Sequence, residues 1–223
     1  MKKKKNLKKL LTVIYYTSNH EEEAFEKKIR KRLLKVIGDI PLISVSQKPI
    51  NFGRNICVGD VGACDANLFR QIQIGCEAAK TPFVISAEAD CLYPPKYFQF
   101  IPDDPNEYYR FNNLYIFYQW MHDNEEGFYK KDTGPFAQIS GRNLYINMIK
   151  KALSGLPEWN KPEVKVRIPL FLDHPWKVIS NVTPIVNIKT FNGMRRHTKT
   201  IGPPINKLPY WGSADELRKQ MWG

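Results

Sequence analysis

The chain alternates between two kinds of apolar periodicity. Residues 10–18, "LLTVIYYTS", form a β-branched and aromatic run of the kind that makes a buried strand. Directly after it, "EEEAFEKKIRKRLLKVIG" switches to helical spacing, with Phe25, Ile29 and Leu33 recurring at i, i+4. Acids open that segment and bases follow, which complements a helix dipole. Ser18 and Glu21 have capping-box spacing at its start, and Gly38 ends it. "PLISVSQ" predicts a second strand, "NLFRQIQIGCEAAK" a second amphipathic helix and "PFVISAEAD" a third strand. Strand, helix, strand, helix, strand implies parallel pairing through right-handed crossovers. Sheets of that kind bind ligands beyond the carboxyl ends of their strands.

The second half is less regular. "YYRFNNLYIFYQW" predicts one or two strands with exposed aromatic edges, "SGRNLYINMIKKALSGL" a helix closed by glycine, and "VKVRIPLFL" and "PIVNIKTF" further strands. From "NGMRRHTKT" to "GPPINKLPYWG" the chain is rich in Gly, Pro, Asn and bases, which predicts loop before a short terminal helix. At 223 residues the whole is expected to be one α/β domain, a mostly parallel central sheet with flanking helices.

Composition adds a charge asymmetry. The net charge is +12, from 34 basic and 22 acidic residues, which brings polyanionic partners into view. Six lysines fall in the first ten residues, so residues 1–9 read as a basic flexible tail and 10–223 as the folded domain. The tail is either a solvated terminus or an arm that tracks phosphates. The apolar run behind it is too short for a secretory leader, and no stretch approaches the ~20 apolar residues of a membrane span. A soluble, cytoplasmic protein is expected. Cys57, Cys64, Cys76 and Cys91 lack paired metal spacing, so reduced thiols are expected.

The chemistry concentrates in "FVISAEADCLYPP", where a buried run ends in Glu88-Ala89-Asp90. Residues at i and i+2 of an extended segment point the same way, so both carboxylates can face one hard cation such as Mn²⁺ or Mg²⁺. Solvent or an arginine would satisfy the same pair without a metal. The helix running into "PFVISAEAD" and the "LYPPKYF" turn behind it resemble the family-2-like glycosyltransferases of GT-A fold, over roughly residues 11 to 100. That resemblance implies a nucleotide-diphosphate sugar donor, held by residues 10–100, and an acceptor held by 101–223 under a closing C-terminal loop. It implies Mn²⁺ or Mg²⁺ bound by Glu88 and Asp90, with glutamate standing where the family usually has a first aspartate. It places base and ribose contacts at Tyr16, Thr17 and Ser18, although Ser18 serves equally as a helix cap. Arg54, in "NFGRNICVGD", is a candidate phosphate contact or a surface loop residue. The tail offers His197 as a third metal ligand and Arg195, Arg196 and Lys199 as diphosphate contacts; a lone loop histidine is otherwise solvent-facing.

An inverting transfer needs a proton acceptor. Asp173 in "LFLDHPW" is the first candidate and Asp132 in "KKDTGPF" the second, and either is otherwise a turn or cap residue. Trp159, Trp176 and the aromatic strands offer stacking surfaces for sugars or unstacked bases. The acceptor is expected to be DNA carrying a hydroxymethylated base or an anionic cell-envelope glycan. Two alternatives stay open: a nucleotidyltransferase, and a basic nucleic-acid-binding module with structural acids at the strand end.

Overall fold

The computed structural model describes residues 6–121, 126–161, 174–180 and 183–223. The expected strand "VKVRIPLFL" and Asp173 lie outside these residues. The strands are β1 (Leu11–Thr17), β2 (Leu42–Ser46), β3 (Arg54–Cys57), β4 (Phe83–Glu88), β5 (Cys91–Leu92), β6 (Tyr108–Phe111), β7 (Leu114–Tyr118), β8 (Phe128–Lys131), β9 (Gln138–Gly141), β10 (Lys177–Ile179), β11 (Ile185–Lys189), β12 (Ile201–Ile205), β13 (Lys207–Leu208) and β14 (Gly212–Ser213). The helices are α1 (Leu7–Leu10), α2 (Glu23–Ile37), α3 (Asp65–Ala78), α4 (Arg142–Ala152) and α5 (Ala214–Trp222).

A seven-stranded sheet in the order β10-β6-β9-β4-β1-β2-β3 forms the centre, and β9 alone runs antiparallel to its neighbours β4 and β6. β1 is buried at every position because both faces of the sheet are covered. Leu11, Val13 and Tyr15 meet Leu33 and Ile37 of α2 on one face. Ile14 and Tyr16 meet Phe69 and Ile72 of α3, with Tyr145 and Ile149 of α4, on the other. Gly75 lets α3 lie close to β1, since a Cβ there would stand 2.5 Å from Ile14 Cγ2. This mostly parallel sheet with flanking helices is the α/β class expected from the alternation.

A five-stranded sheet, β12-β8-β7-β11-β5, packs beside it over α5 and the start of α2. Its link to the central sheet is short: β5 follows the acidic pair by one residue and pairs with β11, Asn187 opposite Cys91.

Several expectations are corrected. The Ser18–Glu21 capping box does not form; α2 starts at Glu23 behind Glu22 and its N-cap makes no side-chain bond. Ser18 and Glu21 lie instead in the connection after β1, where both face a cavity. The aromatic segment 108–118 is buried rather than exposed-edged, and splits into β6 and β7, which join different sheets. The proline-bearing tail is not all loop. "IGPPI" forms β12, which tolerates two prolines because it is an edge strand with one side of its backbone unpaired. All four cysteines are free. Within the stretch expected as a flexible tail, Leu7–Leu10 forms one helical turn, and Leu7 and Leu10 rest on the core.

Candidate active site

β1 and β4 run in parallel register with Tyr16 opposite Glu88, so the two strands end at the same edge. Beyond that edge lies a cavity of ≈ 370 Å³. Its walls are the end of β1 with Glu21, the N-terminal part of α3 and its preceding loop, the acidic pair, the 131–136 loop, and the segment from Asn187 to Thr198. This is the carboxyl-end crevice where open α/β sheets place their ligands.

Glu88 is the last residue of β4 and Asp90 follows it. One ligand atom each from Glu88, Asp90 and Cys91 lie within 4.8 Å of one another. Backbone and side-chain bonds hold the turn that presents them. The Tyr93 hydroxyl accepts the Glu88 N–H at 2.9 Å and donates to the Phe136 carbonyl at 2.8 Å. The Ile188 N–H donates to the Asp90 carbonyl at 2.7 Å. The "LYPPKYF" turn therefore has a structural role: its tyrosines pack under the acids, and Tyr97 donates to the Ser86 carbonyl at 2.8 Å.

Crowded negative charge dominates the electrostatics. Burial, then the neighbouring Asp90, pushes the Glu88 carboxyl up to about 8. Lys189 Nζ stands 3.5 Å from Asp90 Oδ2, both side chains mostly buried. Burial alone would lower the Lys189 ammonium, but Asp90 and Glu88 outweigh it and hold the proton more firmly. Across the cavity, burial raises Glu21 to about 7 while the Thr190 hydroxyl donates to its Oε2 at 2.5 Å. Lys131 is lowered by burial and by the like charges of Lys189 and Arg195, and donates to Thr198 Oγ1 at 2.6 Å. Arg195 forms an ion pair with Asp65 at the start of α3. The Tyr16 hydroxyl, buried on the cavity wall, has no hydrogen-bond partner among the described residues.

This donor set fits a hard divalent cation. Two carboxylates converge, and the pair is costly to ionise without a counter-charge. Cys91 supports them rather than joining them: burial and both acids keep its thiol protonated, and it donates to Asp90 Oδ1 at 3.3 Å. Asn187 Nδ2 donates to that sulfur at 3.1 Å.

The predicted residues divide clearly. Tyr16, Thr17, Ser18, Glu88, Ala89, Asp90 and Arg195 line the cavity. The Thr17 hydroxyl is committed inward, donating to Glu26 Oε1 at 2.6 Å. Arg54 does not reach the cavity: it opens β3 instead of following it, and its Nη1 donates to the Ala78 carbonyl at the C-terminal end of α3. From that loop, Gly62, Ala63 and Cys64 reach the cavity instead. Arg196, His197 and Lys199 share the 190–200 segment but are exposed and do not line it. The His197 ring lies against Tyr118 and Trp120, with centroids 6.1 and 5.6 Å away. Asp132 is exposed beside the lining residue Lys131.

Sequence reasoning missed Glu21, Lys131 and Lys189. For Lys189 a signal existed: in "PIVNIKT" Asn187 and Lys189 stand at i, i+2 on a strand, the same spacing as the acids they meet.

Fold and site together define a mixed α/β protein with a metal-competent acidic pair at the carboxyl edge of its central sheet. No family model and no curated protein matches the sequence. Among solved structures, the chain is similar to a glycosyltransferase involved in the glycosylation of the major capsid of PBCV-1. Identity is 12%, the TM-score 0.45, and the match covers 77% of this chain and 81% of that one. It is also similar to the bifunctional IspDF of Campylobacter jejuni, at 11% identity and a TM-score of 0.39, covering 67% of this chain and 45% of that one. Both likenesses concern the course of the backbone alone. Among the described residues, no helix is long and apolar enough to cross a membrane.

Proposed function

We propose that the protein is a divalent-cation-dependent glycosyltransferase that takes a nucleotide-diphosphate sugar in this cavity and moves the sugar to a hydroxyl acceptor. The charge make-up of the cavity carries the reading. Four carboxylates line it (Glu21, Asp65, Glu88, Asp90) against three cations (Lys131, Lys189, Arg195). With every group ionised the carboxylates outnumber the cations by one, and a divalent cation would leave the wall net positive, ready for a diphosphate.

Glu88 and Asp90 would hold Mn²⁺ or Mg²⁺, which supplies positive charge against the leaving diphosphate as the sugar–phosphate bond breaks. Arg195 and Lys131 face the same space and suit phosphate oxygens. Tyr16 brings an unpaired hydroxyl to the wall, and Ser18 lies where a ribose would meet the end of β1. Arg196, His197 and Lys199 act at most from the outer side of the 190–200 segment, and they favour an acceptor with negative charge, either a modified DNA base or an anionic glycan. For proton removal from the acceptor, Glu21 joins Asp132 and Asp173 as a candidate, and a carboxyl near neutrality suits that task.

Thermal unfolding with UDP, GDP and ADP, each with and without Mn²⁺, tests this reading. The matching nucleotide at about a hundredfold above its Kd should raise Tm by about 5–10 °C, and only with metal present. Asp90→Asn should stay folded, lose that shift and lose turnover. A shift indifferent to metal, or retained in Asp90→Asn, refutes the cation site. Release of pyrophosphate instead of nucleoside diphosphate during turnover would mark a nucleotidyltransferase.

A further inference from the structure

We propose that Lys189 is the resident cation of the acidic pair: it neutralises Asp90 while no metal ion is bound and passes to the donor's diphosphate when one is. The inference rests on the cation-site reading above and adds a residue role to it.

Strand pairing, not a loop, delivers this lysine. Asn187 stands opposite Cys91, and the Ile188 N–H is tied to the Asp90 carbonyl, so the next residue always arrives beside the acids. The Lys189 N–H···O ladder continues on the other side, its carbonyl accepting from Gln119 N–H at 2.8 Å. With the backbone fixed on both sides, movement is left to the end of the side chain.

The ammonium is placed but not fully satisfied. It has three N–H donors. Among the described residues, Asp90 is the one carboxylate within ion-pair distance, at 3.5 Å, and the side chain is only 14% exposed. A mostly buried ammonium with donors left over needs further acceptors, and the cavity it lines is where a ligand would supply them. The other two cavity cations are engaged elsewhere, Lys131 with Thr198 and Arg195 with Asp65.

A divalent ion has the advantage over this lysine because it engages Glu88 and Asp90 together, whereas the ammonium pairs with Asp90 alone. Once displaced, Lys189 would stay on the wall of the same cavity, where it could donate to the oxygens of a bound diphosphate. The same residue thus opposes metal uptake in the free protein and assists nucleotide binding in the loaded one.

Those opposite signs give the test. Mn²⁺ affinity is measured by calorimetry on metal-free protein, and UDP, GDP and ADP affinities are then measured at saturating Mn²⁺. Lys189→Met should bind Mn²⁺ about tenfold more tightly than wild type, and the preferred nucleotide about tenfold or more weakly. Lys189→Arg, which keeps the charge, should stay near wild type in both. Lys189→Gln repeats the measurement should the methionine variant fold poorly. Unchanged or weakened Mn²⁺ binding in the neutral variants overturns the inference while leaving the cation site standing, as does unchanged nucleotide affinity. Absence of Mn²⁺ binding in every variant, wild type included, overturns both.

Discussion

Glu88→Gln isolates the cost of ionising the acidic pair when no metal is present. In the folded chain this carboxyl is raised from 4.5 to about 8 by burial and by Asp90. Between those values the folded state holds a proton that the unfolded chain has released. Fewer protons bound on unfolding means that stability falls as pH rises through that window. At about 1.4 kcal/mol per tenfold in ionisation constant, the upper bound is about 5 kcal/mol, and relaxation with water entering the cavity reduces it to about 2–4 kcal/mol. Glutamine keeps the shape and carries no such cost. Chelator-treated wild type and variant are compared by thermal unfolding at pH 5 and pH 8.5. Wild type should lose about 5–12 °C more than the variant over that span. Taking the difference removes the contribution of Glu21, which titrates in both proteins. Saturating Mn²⁺ should then raise the wild-type Tm at pH 8.5 and leave the variant's where it was. Parallel pH profiles for the two proteins would refute the claim that Glu88 is held out of its charged form by its surroundings.

Two further outcomes follow from packing around the site. Gly75→Ala should destabilise the fold by about 1–3 kcal/mol in urea unfolding, because the added methyl meets Ile14 across the α3–β1 contact; an unchanged midpoint would mean the helix shifts freely. Glu26→Ala should cost about 2–3 kcal/mol by the same measurement. It removes the buried partner of Arg30, which donates to Glu26 Oε2 at 2.8 Å and is left with the exposed Glu23, and it frees the Thr17 hydroxyl at the cavity edge; a loss below about 1 kcal/mol would show the network to be dispensable.

The first half of the chain was legible because each element had an unambiguous period. β1, β2 and β4 are buried on both faces, α2 and α3 carry stripes, and a parallel sheet covered by helices buries both patterns at once. The acid pair was legible for the same reason, as charge at the end of a run that has no other use for it. The rest of the cavity wall was not. Glu21 comes from the connection after β1, Lys131 from the end of β8 and Lys189 from the end of β11, and their convergence depends on how the second sheet docks, a property with no periodicity of its own. Arg54 went astray by register: "RNIC" is a strand, so its first residue points to the end of the sheet away from the cavity. The aromatic segment 108–118 misled because two asparagines at its centre, Asn112 and Asn113, send its halves into different sheets, and both halves are covered.

The prolines of β12 bear on how the molecule behaves when concentrated. The strand borders its sheet with Ile201 and Ile205 half uncovered, a surface that invites a neighbouring copy to extend the ladder. Pro203 and Pro204 carry no amide hydrogen, and because successive residues of a strand face opposite sides, an incoming backbone meets a position without a donor that breaks the ladder along that border. Solubility at this margin is thereby written into the main chain itself, and exchanging both prolines for valine would turn a quiet rim into a seed for aggregation.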